Sequence, residues 1–246
     1  MKPEFSLDGG AAACAALGVI VLQSDESLEP ELRTLALGDG VAIYHSRIPS
    51  ADDVTPDTLA TMSAHLPTAA SLLPRHAALR AIAYGCTSGA TLIGPDTVAE
   101  MIRSHHPTAA CTDPMTALIT VCRARQIRRL GLLTPYVESV SAAMREHIIA
   151  HGIDIVQFAS FEQKDEAVVA RIREQSVLDA LCDFDHDGVD AVFTSCTNLR
   201  SFRIIALAEA QLGVPVLSSN LVLGWHLMQL AGLDTQNAGP GSLFAG

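Results

Sequence analysis

The chain has 246 residues, 49% of them hydrophobic and only 4% aromatic, with a formal net charge of −11. This is enough apolar material for one large or two small cores, which excludes a disordered chain. The acidic balance, without a Lys/Arg block, argues against a nucleic-acid or anionic-membrane partner but not against a small anionic substrate, which backbone N–H groups alone can hold.

The apolar fraction is carried by Ala, Leu, Val and Ile, as suits a parallel α/β fold whose strands are covered on both faces. Six cysteines occur without a C-x-x-C or a disulfide-like spacing. In a chain of this size they read as free thiols in a reducing compartment. Glu4 and Asp8 precede the first apolar run, which argues against a secretory leader, and Ala11 to Leu22 is too short to span a bilayer. The expected setting is soluble and cytoplasmic.

In chain order, residues 15–22 read as the first strand. A helix follows from Leu28, with Pro30 in its first turn, to about Leu37. Residues 41–46 form a second strand, and Thr55 or Pro56 opens a helix that runs to about His76. A third strand, 78–84, leads to Cys86. A helix over 91–104, a short strand at 109–112 and a helix from Pro114 to about Arg125 close this half. The pattern then restarts. Strands are predicted at 129–134, 153–158, 190–194 and 214–219, with helices at 137–150, 164–182, 201–212 and 220–231. The last strand before the final helix follows Cys196. Residues 234–246 are rich in Gly, Ala, Ser, Asn and Gln and read as mobile.

The restart is a repeat. Leu17-Gly-Val-Ile-Val stands 113 positions before Leu130-Gly-Leu-Leu-Thr, and Cys86 stands 110 positions before Cys196. The predicted architecture is α/β, with two pseudo-twofold-related domains, each a four-stranded parallel sheet flanked by helices, and a site in the cleft between them. The first domain covers 15–118, joined by the C-terminal helix 219–232; the second covers 119–218; a tail takes up 233–246.

Two stretches carry the chemistry. Leu79-Arg-Ala-Ile-Ala-Tyr-Gly-Cys86-Thr-Ser-Gly and Val189-Asp-Ala-Val-Phe-Thr-Ser-Cys196-Thr-Asn-Leu each run a strand into a cysteine. The carboxyl ends of parallel strands are where open α/β sheets bind ligands. A free cysteine alone is most simply a small buried hydrophobe. A matched pair, one per repeat, points to two thiols acting as nucleophile, acid or base. Thr87, Ser88, Thr197 and Asn198 follow them and serve either as helix caps or as donors to a carboxylate or oxyanion. Ser24, Asp25 and Tyr136 end the other two corresponding strands. Tyr136 either donates to a substrate or packs, and Asp25 either binds an ammonium or hydroxyl or caps a helix. The run Asp183 to Gly188 mimics the start of a calcium loop, but position twelve would be Thr194 inside a strand, so it reads as an acidic turn. His147 and His151 lack a third ligand. No metal is called for, and no nucleotide-phosphate motif is present.

At these residues the chain resembles the aspartate/glutamate racemase superfamily over roughly 15–232. Within it the likeness is to the maleate cis–trans isomerase and arylmalonate decarboxylase branch. The carrying motifs are Val19-Ile-Val-Leu-Gln-Ser-Asp-Glu-Ser-Leu-Glu-Pro-Glu, Tyr84-Gly-Cys86-Thr-Ser-Gly, Leu133-Thr-Pro-Tyr136 and Thr194-Ser-Cys196-Thr-Asn. The Leu-Gln-Ser-Asp-Glu wording is similar to members that accompany ectoine-utilisation genes. The resemblance implies a cofactor-independent isomerase, cis–trans isomerase or racemase, acting on a small carboxylate or amino-carboxylate. Cys86 would be the nucleophile or first base and Cys196 the partner acid/base. Thr87, Ser88 and Thr197 would hold a carboxylate, and Tyr136 would contact the substrate. The implied assembly is a homo-dimer or tetramer. Two departures bear on substrate. Maleate isomerases carry Asn where Asp25 aligns, and a second Asn expected near Lys164-Asp165-Glu166 is missing. A carboxylate at position 25 repels a dicarboxylate and suits an amino-bearing one better. The alternatives are a decarboxylase that uses Cys196 alone as proton donor, since decarboxylases of this branch carry Gly where Cys86 stands, and a non-catalytic carboxylate sensor.

Overall fold

The structure is a computed structural model that describes the chain except residues 52, 54, 186 and 246, and the side chains of 56 and 60. The strands are β1 (Ala15–Leu22), β2 (Val41–Ile48), β3 (Leu79–Gly85), β4 (Ala110–Thr112), β5 (Arg129–Tyr136), β6 (Asp154–Gln163), β7 (Ala191–Thr194) and β8 (Val216–Ser218). They form two four-stranded parallel sheets of the same order, β2-β1-β3-β4 and β6-β5-β7-β8. The shared order is the structural form of the repeat. β1 is buried along its whole length, and only Arg129 of β5 is exposed, because each is an inner strand. Gly18 and Gly131, equivalent in the repeat, mark close approaches in these inner strands. A Cβ on Gly18 would stand 2.9 Å from Leu73, and one on Gly131 would stand 2.9 Å from Phe184.

The helices are α1 (Leu28–Leu32), α2 (Pro56–Thr61), α3 (Leu66–Ser71), α4 (Thr87–Ile93), α5 (Pro95–Arg103), α6 (Pro114–Ala124), α7 (Glu138–Ala150), α8 (Glu166–Val169), α9 (Glu174–Cys182), α10 (Phe202–Leu212) and α11 (Ser219–Leu230). Several predicted helices are shorter or divided. The helix expected over 91–104 begins at Thr87 instead and breaks at Gly94, whose φ of +92° lies outside the helical region. The stretch 164–182 is two helices, α8 and α9, separated by Ala170–Arg173. β6 runs on to Gln163, five residues past its expected end.

α11 follows β8 in the second half yet packs on α6, β3, β4 and α1 of the first. It is apolar on nearly every side, with nine of its twelve residues buried, and so requires cover all round. The tail, expected to be mobile, is folded down over its described residues, 233–245. Leu243 and Phe244 are buried, Ala36 N–H donates to Ala238 O at 2.8 Å, and Arg125 donates to Leu243 O at 3.0 Å. Two apolar side chains in a polar stretch provide the anchor that composition alone conceals. The acidic turn read at 183–188 includes His186, which lies outside the described residues. No helix of the described residues is long and apolar enough to cross a membrane.

Candidate active site

In each sheet the crevice at the carboxyl ends of the strands opens where the strand order reverses, between β1 and β3 and between β5 and β7. Cys86 follows β3 and is the N-cap of α4. Its sulfur accepts the Gly89 N–H at 3.2 Å and lies 3.7 Å from the Ser88 hydroxyl. The loop expected after Cys86 is therefore the first turn of a helix. Cys196 follows β7 with φ at +108°, a left-handed conformation that costs energy for any residue but glycine. Its N–H donates to Ser219 Oγ at 2.9 Å, and its sulfur accepts the Asn198 N–H at 3.3 Å. Both thiols are buried and unpaired.

The two halves interlock here. Ser219, the first residue of α11, bonds Thr87 at 2.8 Å as well as Cys196 N–H. The Thr197 hydroxyl donates to Gly85 O at 3.3 Å. Asn198 Oδ1 accepts the Glu26 N–H at 2.8 Å, while its amide nitrogen donates to Ser24 O and to Glu166 Oε2. Asp25 Oδ1 accepts the N–H groups of Ser27 and Leu28, both at 2.8 Å. Ser24 is half-buried and bonds Ser50. Tyr136 is buried, with its hydroxyl against Cys196. All nine residues picked from the sequence thus gather in one place.

Three more belong to it. Tyr84 lies two residues before Cys86 in β3. A Cβ on Gly89 would stand 2.7 Å from the Tyr84 hydroxyl and 2.9 Å from the Cys86 sulfur, so the two groups are neighbours. Their separation by two along a strand, which puts both on one face, is the signal that would have found it. Ser219 had only the Ser-Ser-Asn run before the last helix as a clue. Glu166 sits at the start of α8, in the stretch noted for a missing Asn, and its carboxyl raises the pKa of both thiols.

The electrostatics oppose a depressed thiol pKa. Burial pushes Cys86 up to about 12, against the pull of Gly89 N–H and Ser88. Burial, reinforced by Glu166, holds Cys196 well above its usual range. Burial also raises Asp25 and Glu166. The hydrogen-bond donors do not outweigh desolvation here, and among the described residues no cation acts on either sulfur. A small crevice of about 10 Å³ lies beside Ser24, Ser50, Met62 and Glu166. A concavity of about 540 Å³ lies elsewhere, lined by Arg125, Asp190 and Leu243, away from both thiols. Among the described residues no group of three or more His, Cys, Asp or Glu is arranged to hold a metal.

The sequence matches the arylmalonate decarboxylase family over residues 32–244. The chain belongs to that family. A maleate isomerase of Alcaligenes faecalis is 28% identical over 131 residues, which span 53% of this chain and 52% of that protein. A maleate isomerase of Nocardia farcinica is 27% identical over 237 residues, 92% of this chain and 94% of that one. A solved structure of a Nocardia farcinica maleate cis–trans isomerase, a cysteine-to-serine mutant with a covalently bound succinylcysteine intermediate, superposes with a TM-score of 0.85 at 24% identity. It covers 94% of this chain and 98% of its own. This solved structure shares the two-sheet parallel α/β fold. As a member of the arylmalonate decarboxylase family the chain is an enzyme, an isomerase or decarboxylase, and the relatives named here are isomerases.

Proposed function

We propose that the protein is a cofactor-independent isomerase of a small carboxylate, with Cys86 and Cys196 as its two working thiols. One observation carries the reading. Two buried thiols end equivalent strands, each with a backbone N–H on its sulfur, and Ser219 and Thr87 tie the two loops together. Cys86 is the nucleophile, since its sulfur has the larger donor set, Gly89 N–H, Ser88 and Tyr84. In the cis–trans reaction the Cys86 thiolate adds to the activated double bond, and the adduct turns about what is now a single bond. Expulsion of the thiolate then leaves the trans isomer, with Cys196 giving and retaking any proton the neighbouring carbon needs. The succinylcysteine of the Nocardia relative supports covalent addition. In the racemase form one thiolate removes an α-proton and the other thiol returns one to the opposite face. Thr87, Ser88, Thr197 and Asn198 hold the carboxylate, and Tyr136 contacts the substrate. Free thiols as working groups fit a reducing compartment, and we place the enzyme in the cytoplasm as a homo-dimer or tetramer.

The test is proton NMR in D₂O with maleate, aspartate, glutamate and phenylmalonate supplied separately. A cis-to-trans conversion, or deuterium entering an α-position, is expected from the wild type and from neither Cys86→Ala nor Cys196→Ala. Full activity in either single mutant would sink the two-thiol scheme. The family's name supports a second reading, decarboxylation with Cys196 alone as proton donor. It predicts loss of CO₂ from phenylmalonate that survives Cys86→Gly.

A further inference from the structure

Two buried carboxyl groups flank the thiols, and one has an oxygen that nothing answers. Asp25 is 4% exposed and Glu166 7%. Asp25 Oδ1 is taken up by two backbone N–H groups, but Oδ2 is buried with no hydrogen-bond partner. The Thr197 hydroxyl donates to Gly85 O at 3.3 Å; it also stands against the Asp25 carboxyl and pulls its pKa down, without a hydrogen bond to Oδ2. Glu166 Oε2 accepts one bond, from Asn198 at 2.9 Å. Arg47, the cation that acts on Asp25, spends its donors on the carbonyls of Leu22, Gln23 and Asp25 and on the Glu29 carboxylate, and gives none to either side chain. The two carboxyls repel each other, and both act on Cys196. Two buried acids that repel each other, one with an orphaned oxygen, form an arrangement that folding alone does not favour.

We propose that Asp25 and Glu166 form a subsite for a cationic nitrogen, so that the substrate is a small carboxylate bearing an ammonium group and not a dicarboxylate. This rests on the two-thiol reading for the reacting end of the molecule. A dianion would bring a second carboxylate against two acids. An ammonium brings three donors and a positive charge, which answer Asp25 Oδ2 and the free lone pairs of Glu166 together. The same charge is what the thiols lack. A cation bound beside them favours the thiolate and lowers both pKa values toward the working range. The correct substrate thereby completes the nucleophile, whereas a dicarboxylate raises the thiol pKa further.

The experiment compares two probes that share a cis double bond and one carboxylate, maleate and cis-4-aminocrotonate. Binding is measured by calorimetry and turnover by NMR, on the wild type, Asp25→Asn, Glu166→Gln and the double variant. These amides keep shape and the Oδ1 cap, and melting curves confirm folding. The wild type is expected to bind the amino probe at least about ten-fold tighter than maleate, and the double variant to reverse that order. Tighter binding of maleate by the wild type, binding of neither probe, or an unchanged ratio in a folded double variant overturns the subsite. The wild-type ratio stands even if a variant fails to fold. Preferred binding of the amino probe with no turnover of either would leave the subsite and overturn the isomerase. Turnover of maleate in preference would do the reverse.

Discussion

Cys86 is held by its own helix. Its sulfur caps α4 through Gly89 N–H, with the Tyr84 hydroxyl beside it on the same side of that glycine. Gly89→Ala would place a methyl 2.9 Å from that sulfur and 2.7 Å from the tyrosine hydroxyl. Alanine gains about 1 kcal/mol of helix propensity, which offsets part of the clash. The expected outcome is a melting temperature little changed and turnover reduced by about a hundred-fold. A variant with wild-type kinetics would show that the sulfur need not sit where it does. Cys196 is placed differently, by a positive φ and the Ser219 hydroxyl. The pairing of the two cysteines was legible as a repeat. Their raised pKa values were not, because desolvation depends on everything packed around the sulfur and not on its neighbours in the chain.

Helices of one half are completed by residues of the other. Ser219, at the start of α11, bonds Cys196 N–H and Thr87 together. Ser219→Ala leaves that buried N–H unpaired, at a cost of about 1–3 kcal/mol. It should slow turnover while leaving the alkylation rate of Cys86 unchanged, which mass spectrometry of labelled peptides reads separately. The start of α10 is capped from the first half: Glu31 accepts the N–H groups of Ser201 and Phe202 and the Asn220 amide. Burial raises the Glu31 carboxyl from 4.5 to about 7. Because the folded pKa is the higher, its contribution is fully present below pH 4.5 and is lost as pH rises through 7. Glu31→Gln removes that titration. The stability difference between variant and wild type should grow in the variant's favour across this window, by on the order of 3 kcal/mol. Denaturant unfolding at pH 4 to 8 measures it, and a flat difference would contradict the cause assigned. None of these partners is adjacent in sequence; Glu31 and Ser201 are joined only by folding.

The whole molecule is tied together by its last thirty residues or so. α11 crosses to the first half, and the segment after it returns to both. Ala238 pairs with Ala36, Ser242 with Glu209, and Leu243 with Arg125. Phe244 is 1% exposed, and its ring stands so close to Gly239 that a Cβ there would lie 2.7 Å from it. Phe244→Ala should cost about 3–5 kcal/mol in unfolding. Loss of much less than that would restore the view of this segment as a loose tail.

Sequence alone determined the parts that repeat. The strands, their parallel direction, the two thiols and the residues just after them are local patterns of apolar run, glycine and cysteine, copied once along the chain. That periodic burial is dictated by which faces each strand must hide. Only the tertiary structure decided what faces the thiols. Glu166 and Ser219 carry no motif, and the raised pKa values of Cys86 and Cys196 follow from their burial in the folded chain. Electrostatic environment is set by neighbours through space, and here those neighbours lie as far apart in the chain as Asp25 and Glu166.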